Sequence, residues 1–203
     1  QSQWNLENKF TGWRDVPLTS QGVNEARNAG KLIRKNNIKI DNIFSSNLKR
    51  ANNTAEIAIK EANIISLFKD NHLIYTRDQN LNERDYGDLV GLNKAETAKK
   101  YGDEQVHIWR RSYDTPPPGG ESLKDTGARV LPYYDRAILP LIEAGKNILI
   151  AAHGNSLRSL VMRLEGLSSD EILDVNIDTG VPYIYQMDEA GAVLNKTVLA
   201  RSL

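Results

Sequence analysis

The chain has 203 residues, with 26 Lys or Arg balanced by 26 Asp or Glu, so its formal net charge is zero. That length suits one compact domain with a real core, and neutrality excludes a general nucleic-acid or anionic-membrane binder, which would carry a basic excess. There is no cysteine, which removes disulfides, thiolate metal sites and thiol catalysis, and no apolar run approaches the roughly 18 residues of a membrane span.

In chain order, Gln1-Ser2-Gln3-Trp4-Asn5 carries neither an initiator Met nor signal-peptide character, and reads as a chain joined partway. Residues 10–19 (FTGWRDVPLT) form a loop that places an indole and a hydroxyl beside a glycine, suited to covering a substrate. Apolar positions 23, 26, 29, 32 and 33 share one helical face, with Thr19 or Ser20 as N-cap. A β-branched run over 40–45 reads as a strand, and Ala51, Ala55, Ala58, Ile59 and Ala62 mark a second helix over 48–62. Residues 73–76 read as another strand. Asn93 caps a short helix that Gly102 ends, and His107 lies in a helical stretch after it. The breaker-rich run 114–120 (DTPPPGG) is a surface loop within the domain. A long helix over 121–144 is kinked or segmented by Pro132 and Pro140.

The apolar strand 147–153 (NILIAAH) leads through Gly154 into a helix over 155–165, stopped by Gly166. Residues 168–171 (SSDE) form a capping box before one more short helix. Residues 181–187 and 193–200 read as a hairpin around 189–191. Alternating strands and helices with a terminal hairpin predict a three-layer α/β/α sandwich, its sheet mostly parallel with an antiparallel edge, in a single domain over 1–203.

Several residues are placed for anion chemistry. His153 ends a strand just before a helix, where ligands of parallel sheets bind beside free backbone N–H groups; the alternative is a histidine hydrogen-bonded at a strand end. Arg50 lies at a second strand-to-helix junction, where a cation opposes the helix dipole unless an anion compensates. Arg110 and Arg111 could grip carboxylate or phosphate oxygens if the helix ends at them, or form a solvated charge run. The polar block 81–94 offers a carboxylate, a phenol and a lysine: Glu83 suits a proton shuttle if a basic pocket holds its pKa suitably, and the alternative is a solvated loop. His72 and His107 read as structural or solvent-facing.

The segments QSQWN, FTGWRDVPLT, SNLKRA, LNERDYGDLVGLNK, WRRSYDTPPPGGES, AAHGNSLRSL and NIDTGVPYIYQMD occur in this order. Over almost the whole chain they resemble the 2,3-bisphosphoglycerate-dependent phosphoglycerate mutases of the histidine phosphatase superfamily, in a short bacterial form. The resemblance implies interconversion of 3-phosphoglycerate and 2-phosphoglycerate through a phosphohistidine, with 2,3-bisphosphoglycerate as primer and no metal. It makes His153 and Arg50 contacts of the transferring phosphoryl group and Glu83 the proton donor and acceptor. Tyr86, Lys94, Arg110 and Arg111 become binders of the substrate's carboxylate and second phosphate. Asn5, Thr11, Gly12, Gly154 and Asn155 supply further pocket contacts. A cytoplasmic homodimer acting on a small molecule, with no nucleic-acid or membrane partner, is implied as well.

Two departures are visible. The family opens with a strand ending in Arg-His-Gly just before Gln-Ser, so the strand and its nucleophilic histidine are expected ahead of Gln1. The run from Pro118 to Glu121 is short where longer members carry an insertion, which opens the site to water. Two alternatives follow: a histidine-type phosphatase on a small phosphorylated acid, and a phosphosugar-binding pseudoenzyme.

Overall fold

The computed structural model of the protein describes residues 1–199, so Ala200, at the expected end of the hairpin, lies outside them. In chain order the elements are α1 (Gln3–Leu6), α2 (Ser20–Lys35), β1 (Asn42–Ser45), α3 (Lys49–Ala62), β2 (Phe68–Lys69), β3 (His72–Leu73) and β4 (Thr76–Arg77). They continue with α4 (Lys94–Tyr101), α5 (Asp103–Arg111), α6 (Leu123–Tyr133), α7 (Leu139–Glu143), β5 (Ile148–Ala151), α8 (Gly154–Glu165), β6 (Tyr183–Met187) and β7 (Val193–Val198).

The caps follow local chemistry. The Thr19 hydroxyl accepts the Gly22 N–H at the start of α2, and the Asn93 side chain accepts the N–H groups of Ala95 and Glu96 at the start of α4. Ser168 and Glu171 exchange reciprocal bonds before a short 3₁₀ turn, the expected box. Gly166 ends α8 in the left-handed conformation.

The central sheet is parallel, in the order β4-β1-β5. Successive side chains of a strand point to opposite faces, and the two faces of this sheet are sorted accordingly. Ile43, Leu149 and Ala151 pack with Ile33 of α2 and Ala55 and Ile59 of α3. Phe44, Ile148 and Ile150 pack with Val130 and Tyr133 of α6 and Leu160 of α8. These are the three expected layers. A third apolar cluster, Phe10, Leu89 and Val106, lies outside the sandwich and supports the loop side of the site.

Two local expectations are corrected, over 73–76 and at the hairpin, and the expected segmenting of the 121–144 helix occurs next to Pro140 but not at Pro132. The run 73–76 is not one strand: Leu73 pairs with Phe68 in a small antiparallel ladder, while Thr76 pairs with Phe44 in the main sheet. Asp70 and Asn71, both at positive φ, close the small ladder, and the chain must then leave it to reach β1. The helix over 121–144 is α6, a five-residue π turn over Tyr134–Ile138, and α7. Pro140 has no N–H to return to the Arg136 carbonyl, and the wider turn falls just before it. The hairpin β6–β7 pairs only with itself among the described residues, so it is a separate two-stranded sheet and not a hydrogen-bonded edge of the parallel one. No helix among the described residues is long and apolar enough to cross a membrane.

Candidate active site

The carboxyl end of β5 and the start of α3 border one cavity of about 370 Å³, which also runs along the apolar faces of α2 and α3. Asn5, Thr11, Gly12, Arg50, Glu83, Tyr86, Lys94, His153 and Gly154 all line it. The ends of parallel strands, followed at once by helices, put backbone N–H groups and strand-end side chains on the same side of the sheet. That explains why residues so far apart in the chain meet here.

His153 is buried, two residues past β5 and immediately before α8. Its Nε2 lies 2.7 Å from the buried Ser46 hydroxyl, and its backbone N–H donates to the Ser156 hydroxyl at 3.2 Å. Burial, reinforced by the charges of Arg50 and Arg129, holds the imidazole well below its usual pKa, so the ring is neutral until an anion arrives.

Arg50 is the second residue of α3 and is buried. Its Nη1 donates to the Arg14 carbonyl and its Nη2 to that of Gly12, both at 2.8 Å. Burial lowers its pKa, while the carboxylates of Glu83 and Asp15 oppose that shift. Asp15 also accepts the Lys49 N–H at 2.8 Å, capping α3 from the 10–19 loop. Gly12 has φ +52, and a Cβ there would sit 3.1 Å from Val90 and 3.2 Å from the Tyr86 nitrogen, so the loop lies close against the 85–90 segment. The Thr11 hydroxyl is buried with no partner among the described residues.

The opposite wall is built on irregular chain. Glu83 Oε1 accepts two backbone N–H groups, from Arg84 at 2.8 Å and from Asn155 in the first turn of α8 at 3.1 Å. With Oε1 so engaged, Oε2 is left for a substrate proton; it would lie only 3.8 Å from a Cβ placed on Gly154. The Asn155 amide reaches the Tyr86 hydroxyl at 3.5 Å. Burial raises the Tyr86 pKa, keeping the phenol protonated. Burial lowers the Lys94 pKa, as do Arg110 and Arg111, while Glu83 offsets them.

The helix α5 ends at Arg111, as both arginines serving one ligand would require, but neither lines the main cavity. The fully buried Arg84 fixes that end: it donates from Nε to the Glu121 carbonyl at 2.6 Å and from Nη2 to the Trp109 carbonyl. A cation at the carbonyl end of a helix complements its dipole. Arg110 lines a neighbouring cavity of about 570 Å³, together with His107 and Lys94. Lys94 borders both cavities and so joins Arg110 to the main one. Arg111 donates to the Asn176 side chain at 3.3 Å. Asn5 spends its side-chain oxygen on the Ser2 N–H at 3.1 Å. His72 is exposed on β3, away from this lining.

Four residues of the site were not anticipated: Ser46, Arg84, Arg129 and Arg158. Ser46 lies one residue past a strand end, the same signal that marked His153. Arg158 is three residues beyond Asn155 on α8, buried between Ser156 and Ser159 in the chain, and its Nη1 donates to the Asn155 side-chain oxygen at 3.1 Å.

Charge is therefore concentrated. Glu83 acts electrostatically on Arg50, Lys94 and Arg158, Asp15 acts on Arg50 as well, and Lys94 in turn feels Arg110 and Arg111. Residues 1–199 match the family model of the histidine phosphatase superfamily, branch 1. The chain belongs to that superfamily. A protein of Parvibaculum lavamentivorans named 2,3-bisphosphoglycerate-dependent phosphoglycerate mutase is 52% identical over 98% of this chain and 92% of its own length. One of the same name from Allorhizobium ampelinum is 55% identical with the same coverage. Among solved structures, the alpha-ribazole phosphatase of Shigella flexneri superposes with a TM-score of 0.79 at 23% identity, covering 100% of this chain and 94% of that one. That likeness establishes the shared fold. The full-length relatives place the chain in the mutase family of the superfamily.

Proposed function

We propose that the protein interconverts 3-phosphoglycerate and 2-phosphoglycerate, primed by 2,3-bisphosphoglycerate. The observation that carries this reading is one carboxylate, Glu83, near Arg50 and Lys94 and beside the neutral His153, with Arg110 and Arg111 close to Lys94. A small acid bearing phosphate needs several fixed cations, one group that exchanges a proton with its hydroxyl, and a cradle for the phosphoryl group in flight. The donor set suits a bisphosphorylated acid for the same reason. When bound, 2,3-bisphosphoglycerate supplies the phosphoryl group that primes the enzyme.

In this reading the phosphoryl group is carried by the histidine that the resemblance places ahead of Gln1, so one transfer becomes two easier ones. Arg50, His153 and the first N–H groups of α8 hold the oxygens whose charge spreads in the transition state. Glu83 takes the proton from the attacking hydroxyl and returns it to the other oxygen after the substrate reorients. Lys94, Arg110 and Arg111 bind the carboxylate and second phosphate, and Thr11, Gly12, Asn5, Tyr86, Gly154 and Asn155 shape the pocket. We further read residues 1–203 as one domain, working as a cytoplasmic homodimer without a metal.

The full-length protein, assayed in chelator with and without the bisphosphate, tests the reaction. Turnover of 3-phosphoglycerate is expected to survive the chelator and to depend on the bisphosphate. Turnover that requires Mn²⁺ and ignores the bisphosphate would overturn the reading. The phosphatase alternative draws on the short Pro118–Glu121 connection. Net hydrolysis of 3-phosphoglycerate is expected to remain under about 1% of the mutase rate, because a held hydroxyl far outcompetes free water.

A further inference from the structure

The loop that carries Glu83 has no strand or helix to hold it; 3₁₀ turns over Gln79–Leu81 and Gly87–Leu89 flank it. Its backbone carbonyls are nevertheless gathered by one side chain from the opposite layer. Arg129 of α6 donates from Nη1 to the carbonyls of Asn80 at 2.8 Å and Asn82 at 3.0 Å, and from Nη2 to the carbonyl of Glu83 itself at 2.9 Å. The same guanidinium is held in orientation by Glu121, through Nε to Oε1 and Nη2 to Oε2, both at 2.8 Å. Glu121 Oε2 in turn accepts the Asp85 N–H at 3.0 Å, so the pair grips the loop on both sides of Glu83. The Glu83 carbonyl also accepts the Trp13 indole N–H at 2.6 Å, and Arg129 lies 5.4 Å from the centre of that indole ring.

We propose that Arg129 is a positioning residue for the Glu83 carboxylate, and that Trp13 completes the same clamp from the 10–19 loop. Arg129 touches backbone atoms and Glu121 and is not placed among the lining of the substrate cavity. Its planar fork can span several carbonyls at fixed angles, which an ammonium cannot do. A proton-transfer group must be held to within a fraction of an ångström of its target, and a misplacement near 1 Å costs roughly a hundredfold in rate. The clamp's product is that precision. The inference rests on the proposed role of Glu83.

The test is a double-mutant cycle on the full-length enzyme with Arg129→Lys and Glu83→Gln, read as kcat and KM separately. Arg129→Lys keeps the charge and loses the fork. It is expected to lower kcat about tenfold to a hundredfold, to leave KM within about threefold, and to cost less than about threefold once Glu83 is Gln. Near-normal kcat in Arg129→Lys would overturn the inference, since charge alone would then suffice. An equal loss in both backgrounds would overturn it too, because Arg129 would be acting elsewhere. Wild-type kcat in Glu83→Gln is a different failure, that of Glu83 as the proton shuttle. Should Arg129→Lys not fold, Trp13→Phe decides: it keeps an aromatic ring at this position and removes the indole N–H together with the fused pyrrole ring. A loss of about threefold that vanishes beside Glu83→Gln supports the clamp, and unchanged kinetics overturn it.

Discussion

The two walls of the cavity are built by opposite strategies. His153, Arg50 and Ser46 sit at strand ends and helix starts, where a buried sheet fixes every backbone atom. Glu83 and Tyr86 sit on irregular chain between 3₁₀ turns, and Lys94, Arg110 and Arg111 on short helices, beside a small apolar cluster of their own. The sheet wall needs no extra support. The loop wall recruits two arginines, Arg84 and Arg129, whose guanidinium groups bind backbone carbonyls in place of a sheet partner. The close approach of the 85–88 segment to the proline-rich loop adds to it: a Cβ on Gly87 would lie 2.3 Å from the Gly119 backbone. Strand-end side chains are fixed by the sheet itself, whereas the carboxylate carried on the loop is held by guanidinium groups bound to backbone carbonyls.

The contrast is broken most directly at Glu83. Glu83→Gln keeps the shape and both backbone N–H contacts can still be accepted by the amide oxygen, yet the amide cannot exchange the proton. A kcat loss of about 10² to 10⁴ is expected with KM little changed. If steady-state kinetics show the reverse pattern, Glu83 is a binding residue and the loop wall carries no chemistry.

Arg110→Ala and Arg111→Ala sharpen the division within that wall. A fork on a carboxylate or phosphate grips a charge that persists through the reaction, so its contribution is largely uniform between ground and transition states. Losing a charged hydrogen bond worth about 1.5 to 3 kcal/mol raises KM by roughly tenfold to a hundredfold, with kcat falling less. Arg110 and Arg111 need not be equal: Arg111 is shared with Asn176, whereas Arg110 faces the cavity that Lys94 borders. A kcat-only effect at either position would move that arginine into the transferring-phosphoryl site.

The same contrast explains what was legible in the sequence. The sheet wall follows from pattern: an apolar run that ends in His153 before a Gly and a helix, and a second strand end leading to Arg50, each announce a strand-to-helix junction. The three layers followed from the alternation of strands and helices along the chain, while the sorting of Ile43 from Phe44 and of Leu149 from Ile150 onto opposite faces emerged with the structure. No periodicity marks Glu83 or Lys94: the polar block 81–94 offered a carboxylate and a lysine, with a solvated loop as the alternative, and the resemblance implied their separate roles. Arg129 was invisible because its partners are backbone carbonyls, which every residue owns. The misread strand over 73–76 and the detached hairpin have a common cause: β-branched runs report extended chain, and their pairing is decided by neighbours far away in sequence.

The sheet wall has its own, smaller test, in pH. His153 is buried and neutral, with its folded-state pKa well below that of the unfolded chain, through burial first and then through Arg50 and Arg129. Between those two values the unfolded chain binds the proton and the folded one does not. Stability therefore rises with pH across that window, and is lost as pH falls from about 6.5 downward, at up to about 1.4 kcal/mol per pH unit. The carboxylates held low, Glu25, Glu121 and Asp125, act in the same direction but only below the ordinary carboxylate range, so the interval from about pH 6.5 to 5 belongs to the imidazole. Denaturant unfolding of the full-length protein is expected to show this slope, and His153→Gln is expected to flatten it. A bound phosphate dianion would favour the imidazolium, so inorganic phosphate is expected to reduce the slope in the unmodified protein and to leave that of His153→Gln unchanged. An identical slope in the two proteins without phosphate would show that His153 is not the buried neutral base of the sheet wall.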